Sequence, residues 1–323
     1  MEVKNRPLLR VPLIRRIEYL SDYLQALDGR CRREEIEEIL SERKRSFEKE
    51  KILAVGRGNP FRRNIERTSN LTKECLKLAQ TLEFVYRIGD EVKISEKGRE
   101  FLDSTESRKI LFAEAYSKAY PHLATLALAL SELDDKEAIL PLHNKPEFRP
   151  EAEKIGLSIG QVAFDVIRDI STSLGIVNWY CTGKGIERRQ HVYLASTPIT
   201  EPPVHWKVRL HLNGGWLFIV PSVVERGSFR DALWSAYLEV ANGIPGSPVF
   251  YTAVREKVCT TLRICDEQFD GEVLRMVESD DVFSVIWSEG VLPYQRDSAS
   301  MLKSLPPKNE DGKYIVYLKM VWR

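Results

Sequence analysis

The chain has 323 residues, which suits two or three domains of roughly 100–200 residues each. Hydrophobic residues make up 43% and charged residues 29%, as in a globular protein, and 48 Lys+Arg against 47 Asp+Glu give a net charge of +1. This balance excludes a histone-like or polyanionic character, so any nucleic-acid binding must come from local basic patches.

The cysteines and the apolar segments favour a cytoplasmic protein without a membrane span. Five cysteines are scattered without a C-x-x-C pair, and an odd number argues against a disulfide framework. The first residues, MEVKNRPLLRVPLIRR, are interrupted by charges and prolines and lack the apolar core of a signal peptide. The longest weakly charged stretch, near residues 116–133, is too polar to cross a bilayer. We therefore expect a protein of the reducing cytosol.

The first part of the chain predicts three helices. Apolar residues recur at helical spacing over Pro12–Leu27, Arg33–Phe47 and Thr72–Phe84. A basic connector that contains glycine, KILAVGRGNPFRRNIERTSN, separates the second helix from the third. The three helices therefore precede whatever structure the next segment forms.

That next segment, RIGDEVKISEKGREFL, predicts a hairpin strand and a short helix. Val92 and Ile94 alternate with polar residues, as in a half-buried strand. Ser95 stands three residues before Gly98 and opens a predicted helix over residues 96–102. Three helices followed by a β-hairpin is the order of elements in a winged-helix domain.

The stretch LAQTLEFVYRIGDEVKISEKGREFL resembles the third helix and wing of archaeal and bacterial winged-helix proteins. The resemblance covers only part of the chain and implies a fold more than an activity. In that family the third helix usually enters the major groove of DNA, and the wing touches the backbone or the minor groove.

The same order of elements recurs in the middle of the chain. A long helix is predicted over Lys109–Leu133, a short one in PEFRPEAEKIG, and a third in SIGQVAFDVIRDISTSLGIV, with Val162, Ile167 and Ile170 facing inward. The segment NWYCTGKGIERRQHVYLAS alternates on both sides of a Gly-Lys-Gly turn and predicts a second wing.

The last part of the chain predicts a hairpin and then the same order again. Asn213-Gly214-Gly215 lies between alternating apolar residues, which favours a tight hairpin turn. Ser228 is predicted to cap the helix FRDALWSAYLEVANG, Phe250–Leu262 forms a second helix, and DEQFDGEVLRMVES forms a third. Two strand-like segments, VFSVIWSEGVL and YIVYLKMVW, follow.

The predicted fold class is therefore mostly α with small β-hairpin wings (α+β), built from tandem winged-helix units. We name residues 1–105 the first unit, residues 106–199 the second unit, and residues 200–323 the third unit, which includes the extra hairpin. The repeat is one of topology, because no residues match at a fixed period.

The sequence contains no motif that we assign to catalysis, a metal or a cofactor. Gly56 and Gly58 lack the further residues of a phosphate-binding loop. His205 and His211 lie six residues apart on one predicted strand, roughly 20 Å from each other, and cannot share a metal ion. We predict a non-enzymatic protein with no catalytic residues, no metal site and no cofactor.

Basic residues crowd the connector and the start of the third helix of the first unit. Arginines of the connector would reach phosphates, whereas polar residues at the helix start would reach base edges. The alternative is a solvated loop without a ligand. The predicted DNA contacts of this region are Arg57, Arg62, Arg63, Arg67, Asn70, Thr72, Lys73 and Lys77.

A smaller basic patch lies at the predicted wing of the second unit. Basic hairpin tips commonly contact the DNA backbone or the minor groove. Pairing of the same side chains with acidic helix surfaces is the alternative. The predicted DNA contacts here are Lys184, Arg188, Arg189 and Gln190.

The third unit is predicted to contact protein rather than DNA. Its third helix carries five acidic residues against Arg275 alone, and such a helix would repel phosphate. A protein partner or a homodimer could use a flat aromatic surface here, unless the aromatic side chains fill the core beneath the sheet. These aromatic residues are Trp287, Tyr294, Tyr317 and Trp322.

Our leading hypothesis is a cytoplasmic, non-enzymatic protein that binds double-stranded DNA through its first and second units. It would act as a transcription regulator or as the DNA-recognition part of a larger prokaryotic system such as restriction or defence. The alternative is a winged-helix scaffold that mediates protein assembly without DNA contact, which the near-zero net charge favours.

Replacement of Arg62, Arg63 and Arg67 by alanine is expected to lower the affinity for duplex DNA. Each lost phosphate contact should reduce the slope of log K against log[salt] by about 0.9. Fluorescence anisotropy with a labelled duplex at several salt concentrations measures both quantities. An affinity that is indifferent to salt and to these substitutions would contradict the hypothesis.

Overall fold

The computed structural model describes residues 14–55, 71–89, 91–141, 146–183, 187–279, 283–288 and 306–320. Within these ranges helices are interspersed with small antiparallel sheets of two or three strands. The chain is therefore a mixed α+β protein, as the hydrophobic periodicity predicts. All five cysteines lie in these ranges and are free thiols.

The first unit contains the predicted three helices and hairpin. Ser95 begins the next helix as predicted: its hydroxyl accepts a hydrogen bond from the Gly98 backbone N–H at 3.0 Å and donates to the Glu83 carbonyl at 2.7 Å. This N-cap ties the end of the hairpin to the following helix. The elements are α1 (Ile17–Asp28), α2 (Arg33–Val55), α3 (Leu71–Thr81), β1 (Val85–Ile88), β2 (Glu91–Ile94) and α4 (Glu96–Asp103).

The second unit differs from the prediction at its first helix. The expected single helix over Lys109–Leu133 is wrong, because the chain forms two helices that separate at Tyr120 and Pro121. Proline has no backbone N–H and cannot continue the helical hydrogen bonds. The elements are α5 (Thr105–Ala119), α6 (His122–Glu132), β3 (Glu137–Pro141), α7 (Phe148–Lys154), α8 (Gln161–Ser173), β4 (Val177–Thr182) and β5 (Arg189–Leu194).

Helix α8 buries most of the residues expected to face the core. Ile167 and Ile170 are at most 1% exposed, whereas Val162 is 54% exposed, so its predicted inward position is wrong. One residue near the start of the helix therefore presents an apolar side chain to solvent.

A three-stranded sheet spans the boundary between the second and third units. Asn213 and Gly214 both have positive φ at the predicted hairpin turn, as Asn-Gly turns require. The inner face of this sheet packs into the same hydrophobic core as the first and second units, whereas a separate core begins at Phe229 in the third unit. The strands are β6 (Ser196–Ile199), β7 (Val208–Leu212) and β8 (Gly215–Pro221).

The third unit contains the predicted helices and strands, with one difference at its start. Its first helix begins at Arg226 after Glu225, so Ser228 lies inside the helix and does not cap it. The elements are α9 (Arg226–Val240), β9 (Val249–Phe250), α10 (Tyr251–Leu262), α11 (Asp266–Ser279), β10 (Phe283–Ser288) and β11 (Tyr314–Met320).

The second and third units share one order of elements. In each, a helix, a strand, two helices and two strands follow one another. The first strand pairs with the last, which gives the sheet orders β3-β5-β4 and β10-β11-β9. Strands β3 and β9 are absent from the sequence-based assignment, because their pairing partners lie about 50 residues or more away along the chain.

Buried polar contacts join the second unit to the third. The side chain of Asn178 on β4 donates to the Ile264 carbonyl at 3.1 Å and to the Asp266 carboxylate at 2.8 Å. Arg255, 2% exposed on α10, lies 3.7 Å from Asp266 and 3.1 Å from Asp270. The first turn of α11 is thereby fixed against the sheet of the second unit, and we call these five residues the interunit cluster.

Gly98→Ala is expected to destabilise the chain. A Cβ at this position would lie 2.2 Å from the carbonyl oxygen of Phe84, so the backbone must shift. Overpacking of this kind costs about 1–3 kcal/mol. Urea denaturation followed by circular dichroism measures the change in the free energy of unfolding.

The matched control is Gly271→Ala in α11, where an added Cβ has no neighbour within 4 Å. Alanine favours a helix over glycine by about 1 kcal/mol, so this variant should be as stable as the wild type or more stable. Equal destabilisation by both substitutions would contradict the close approach of Gly98 to Phe84.

Candidate nucleic-acid interface

Helix α3 presents two lysines to solvent. Lys73 and Lys77 are both exposed and lie four residues apart, so they occupy one face of the helix about one turn from each other. Both were predicted DNA contacts, and their exposure is compatible with that role. The opposite face of the helix packs into the core through Cys75, Leu78 and Ala79.

The β1–β2 hairpin follows α3 directly and carries an exposed mixture of apolar and basic residues. Tyr86 and Ile88 are 47% and 55% exposed, and they pair across the hairpin with Lys93 and Glu91. The Lys93 ammonium lies 3.3 Å from the Glu91 carboxylate at the surface, and Arg87 is exposed as well. The hairpin therefore has the side chains of a wing that can contact a phosphate backbone.

Several predicted contacts lie outside the described residues, and Thr72 is misplaced. Thr72 is only 8% exposed, because it lies on the core-facing side of α3, so the prediction that it reaches base edges is wrong. The predicted contacts that lie outside the described residues are Arg57, Arg62, Arg63, Arg67, Asn70 and Lys184.

The predicted second wing keeps only part of its proposed interface. Arg188 and Arg189 are half-buried. Gln190 is fully buried: its carbonyl oxygen accepts from Arg168 Nη1 at 2.6 Å, and its amide donates to the Pro141 carbonyl at 3.2 Å. Alternation along β5 turns Gln190 toward the interior, so its assignment as a DNA contact is wrong.

Helix α8, the last helix of the second unit, carries two aspartates that form ion pairs within the chain. Asp165 and Asp169 lie 3.8 and 3.4 Å from Arg15, and the nearly buried Arg168 pairs with the same two carboxylates at 3.0 and 2.7 Å. These carboxylates are accompanied at the surface by the exposed Val162. On this face the two carboxylates pair with two guanidinium groups, so these charges are used within the chain rather than offered to DNA phosphates.

The first carboxylates of α11, the acidic helix of the third unit, pair with basic side chains of the same chain. Asp266 and Asp270 belong to the interunit cluster. Glu267 contacts Lys109 at 2.9 Å and Lys207 at 3.0 Å, so it ties α11 to α5 and to the segment before β7. Burial alone would raise the pKa of Glu267, but these two ammonium groups lower it below its usual value. Three of the acidic residues on which the prediction of protein binding rests therefore form contacts within the chain.

The aromatic residues of the third unit are in part core residues. Trp287 packs against the core of this unit, and the Tyr317 ring stacks on Phe250 with centroids 5.2 Å apart. Tyr294 and Trp322 lie outside the described residues. For Trp287 the core-filling alternative fits the contacts better than a flat docking surface does, whereas Tyr317 and Phe250 are half-buried and lie outside that core.

A histidine-centred cluster, which sequence analysis did not predict, lies on the second unit's sheet. His191 Nδ1 is 2.6 Å from Glu137 Oε1, and His191 Nε2 is 2.7 Å from the Thr182 hydroxyl. The Tyr180 hydroxyl also donates to Glu137 at 3.1 Å, and the Tyr180 ring stacks on the imidazole. Arg263, from the end of α10, pairs with the second oxygen of Glu137.

This cluster links the second and third units. Burial alone would raise the pKa of Glu137, but hydrogen bonds from His191 and Arg263 lower it. The order hydroxyl, imidazole, carboxylate also occurs where histidine activates a nucleophile. Here, however, Arg263 and Tyr180 bind the same carboxylate, and the sum of the contacts fixes the docking of α10. The three strands that carry these residues meet only through long-range pairing, so no local motif indicated the cluster.

The comparisons with known proteins identify no family. Searches against protein-family models, curated proteins and solved structures found no match. Among the residues that the structure describes, no three or more His, Cys, Asp or Glu side chains are grouped so that they could hold a metal ion. No helix within the described ranges is long and apolar enough to cross a bilayer.

Glu137→Gln is expected to destabilise the chain at neutral pH by about 1–3 kcal/mol, because the side chain is 10% exposed and Arg263 loses its ionic partner. A carboxyl with a lowered folded-state pKa stabilises the fold above its ordinary value of 4.5, and this stability is lost as the pH falls through the folded-state value. The gap between wild type and variant should therefore close in acid.

Thermal unfolding between pH 7 and pH 3 measures this gap. The matched control is Glu239→Gln, which removes an exposed carboxylate that pairs with Lys257 at the surface. Exposed pairs contribute less than about 1 kcal/mol. A gap for Glu137→Gln that persists unchanged at pH 3 would contradict the ionic role of this side chain.

Proposed function

We propose that the chain is a DNA-binding protein built from tandem winged-helix units, with its duplex-binding surface on the first unit. The order of elements supports the architecture, because three helices precede the first hairpin and the second and third units repeat a single topology. Third helix and wing are the parts that contact DNA in winged-helix domains.

The observation that carries the proposal is the pairing of exposed lysines on α3 with the hairpin that follows it. Lys73 and Lys77 share the outer face of α3, and Arg87 and Lys93 are exposed on the hairpin. Lysine and arginine side chains supply the phosphate contacts that dominate the affinity of proteins for DNA. The basic connector before α3 adds further positive charge in sequence.

The duplex-binding surface is assigned to the first unit alone, rather than to the first and second units together. The outer face of α8 carries Asp165 and Asp169, and Gln190 of the second wing is buried. A helix face that is occupied by ion pairs with Arg15 and Arg168 is a poor partner for phosphate. The second unit therefore serves in this proposal to position its neighbours.

Protein assembly remains the second candidate function, and one observation favours it. Val162 is 54% exposed beside Asp165 and Asp169 on α8, and an apolar residue with flanking acids suits a protein ligand better than DNA. Under this alternative, Val162→Asp would disrupt a protein complex, and loss of the α3 lysines would not.

The double variant Lys73→Ala, Lys77→Ala is expected to weaken duplex binding and its salt dependence. Loss of two phosphate contacts should reduce the slope of log K against log[salt] by about 1.8. Fluorescence anisotropy with a labelled duplex over a range of salt concentrations measures the affinity and the slope.

The matched control is Lys154→Ala on α7, an equally solvent-facing helical lysine that pairs with Glu151 at 2.8 Å. This variant should bind duplex DNA as the wild type does. If the control and the α3 double variant lose affinity equally, positive charge acts without a defined surface and the proposal fails.

A further inference from the structure

Tryptophans and cations alternate on the outer face of the β6–β8–β7 sheet. We propose that this face binds the unpaired bases of single-stranded nucleic acid, at a site separate from the duplex surface on α3. We call it the aromatic–cation face and define it by Lys118, Trp206, Arg209, His211 and Trp216.

The side chains of the aromatic–cation face form a continuous stack. The Arg209 guanidinium lies 5.6 Å from the ring centroid of Trp206 and 4.6 Å from that of Trp216. Lys118 Nζ lies 5.5 Å from the centroid of Trp216, and the His211 ring meets the same indole edge-on. The cations thus lie over the electron-rich ring faces, where cation–π attraction holds them.

Strand alternation places this stack on the outside. Val208 and Leu210 are completely buried on the inner face of β7, so Arg209 and His211 point to the other side. His211 lies opposite Trp216 in the register of β7 and β8. Because Val208 and Leu210 anchor β7 in the core, the side chains on the outer face of this strand are held in fixed positions.

Helix α5 makes the stack rigid. Glu114 accepts a hydrogen bond from Arg209 Nε at 2.6 Å, and the Ser117 hydroxyl accepts one from the His211 backbone N–H at 2.7 Å. The second bond occupies an edge group of β7 that another strand would otherwise pair with. The bond to Glu114 holds the Arg209 side chain in place before any ligand binds, so ordering it on binding costs little additional entropy.

The charge and the aromatic surface together indicate the ligand. Glu114 offsets one positive charge, and the exposed Lys118 leaves a cation beside the half-buried indoles. Single-stranded nucleic acids offer both complements, because their bases stack on aromatic and guanidinium planes and their phosphates attract lysine. In a duplex the base faces are already stacked on one another, so this surface selects unpaired strands.

The test uses the full-length chain and a labelled oligothymidylate of about 15 nucleotides. Binding should raise the anisotropy of the label and quench tryptophan fluorescence. Trp216→Ala should weaken binding about tenfold, as expected when a stacked base is lost, whereas Trp216→Phe should retain most of the affinity because phenylalanine keeps an aromatic face. Lys118→Ala, at an exposed position, should weaken binding several-fold.

Two controls separate this site from the duplex surface. An abasic strand with the same phosphates should bind much more weakly, because it has nothing to stack. Lys73→Ala with Lys77→Ala should leave oligothymidylate binding unchanged, even if these lysines prove to bind no duplex.

Equal binding of the abasic strand, or loss of oligothymidylate binding only in the α3 variant, would overturn the inference. Stronger competition by a proline-rich peptide than by the oligonucleotide would assign the face to a protein ligand and would also overturn it.

Discussion

The placement of the third unit depends on a carboxylate buried at the start of α11. Asp266 is 4% exposed, and a buried ion costs several kcal/mol unless protein groups replace its hydration. Arg255 supplies the opposite charge from within the third unit, whereas Asn178 supplies a hydrogen bond from the second. Asn178 also satisfies the Ile264 carbonyl, so separation of the units would leave two acceptors without this donor. Asn178 can replace the lost hydration of Asp266 and of the Ile264 carbonyl only when the two units are docked in this arrangement.

Such contacts within the chain help to explain why the three units present different surfaces. The acids of α11 and the third unit's Arg263 are used for docking, and the acidic face of α8 pairs with Arg15 and Arg168. In the first unit, by contrast, Lys73 and Lys77 on α3 remain exposed. A helix that contacts its own chain no longer has the same face available to an external ligand. Units with a similar order of helices and strands therefore need not share a binding mode.

The elements that sequence analysis predicted correctly are those with local signals. Asn213-Gly214 determines a hairpin by backbone conformation alone, and Ser95 determines a helix start by a hydrogen bond three residues ahead. Strands β3 and β9 escaped prediction because they are short and gain their stability from partners far along the chain. The break at Pro121 did have a local signal, since proline lacks the required N–H, but the continuous apolar pattern on both sides outweighed it.

The candidate sites show the same division between local and long-range information. A count of basic residues found the lysines of α3, but it could not separate the exposed Lys73 from the buried Thr72 beside it, because one residue changes the face of a helix. The stack of Lys118, Arg209 and Trp216 had no signal in composition, since a helix and a hairpin some ninety residues apart contribute to it. A chain of almost zero net charge can nevertheless carry local cationic surfaces, because folding pairs some of its charges with one another and leaves others exposed at particular places.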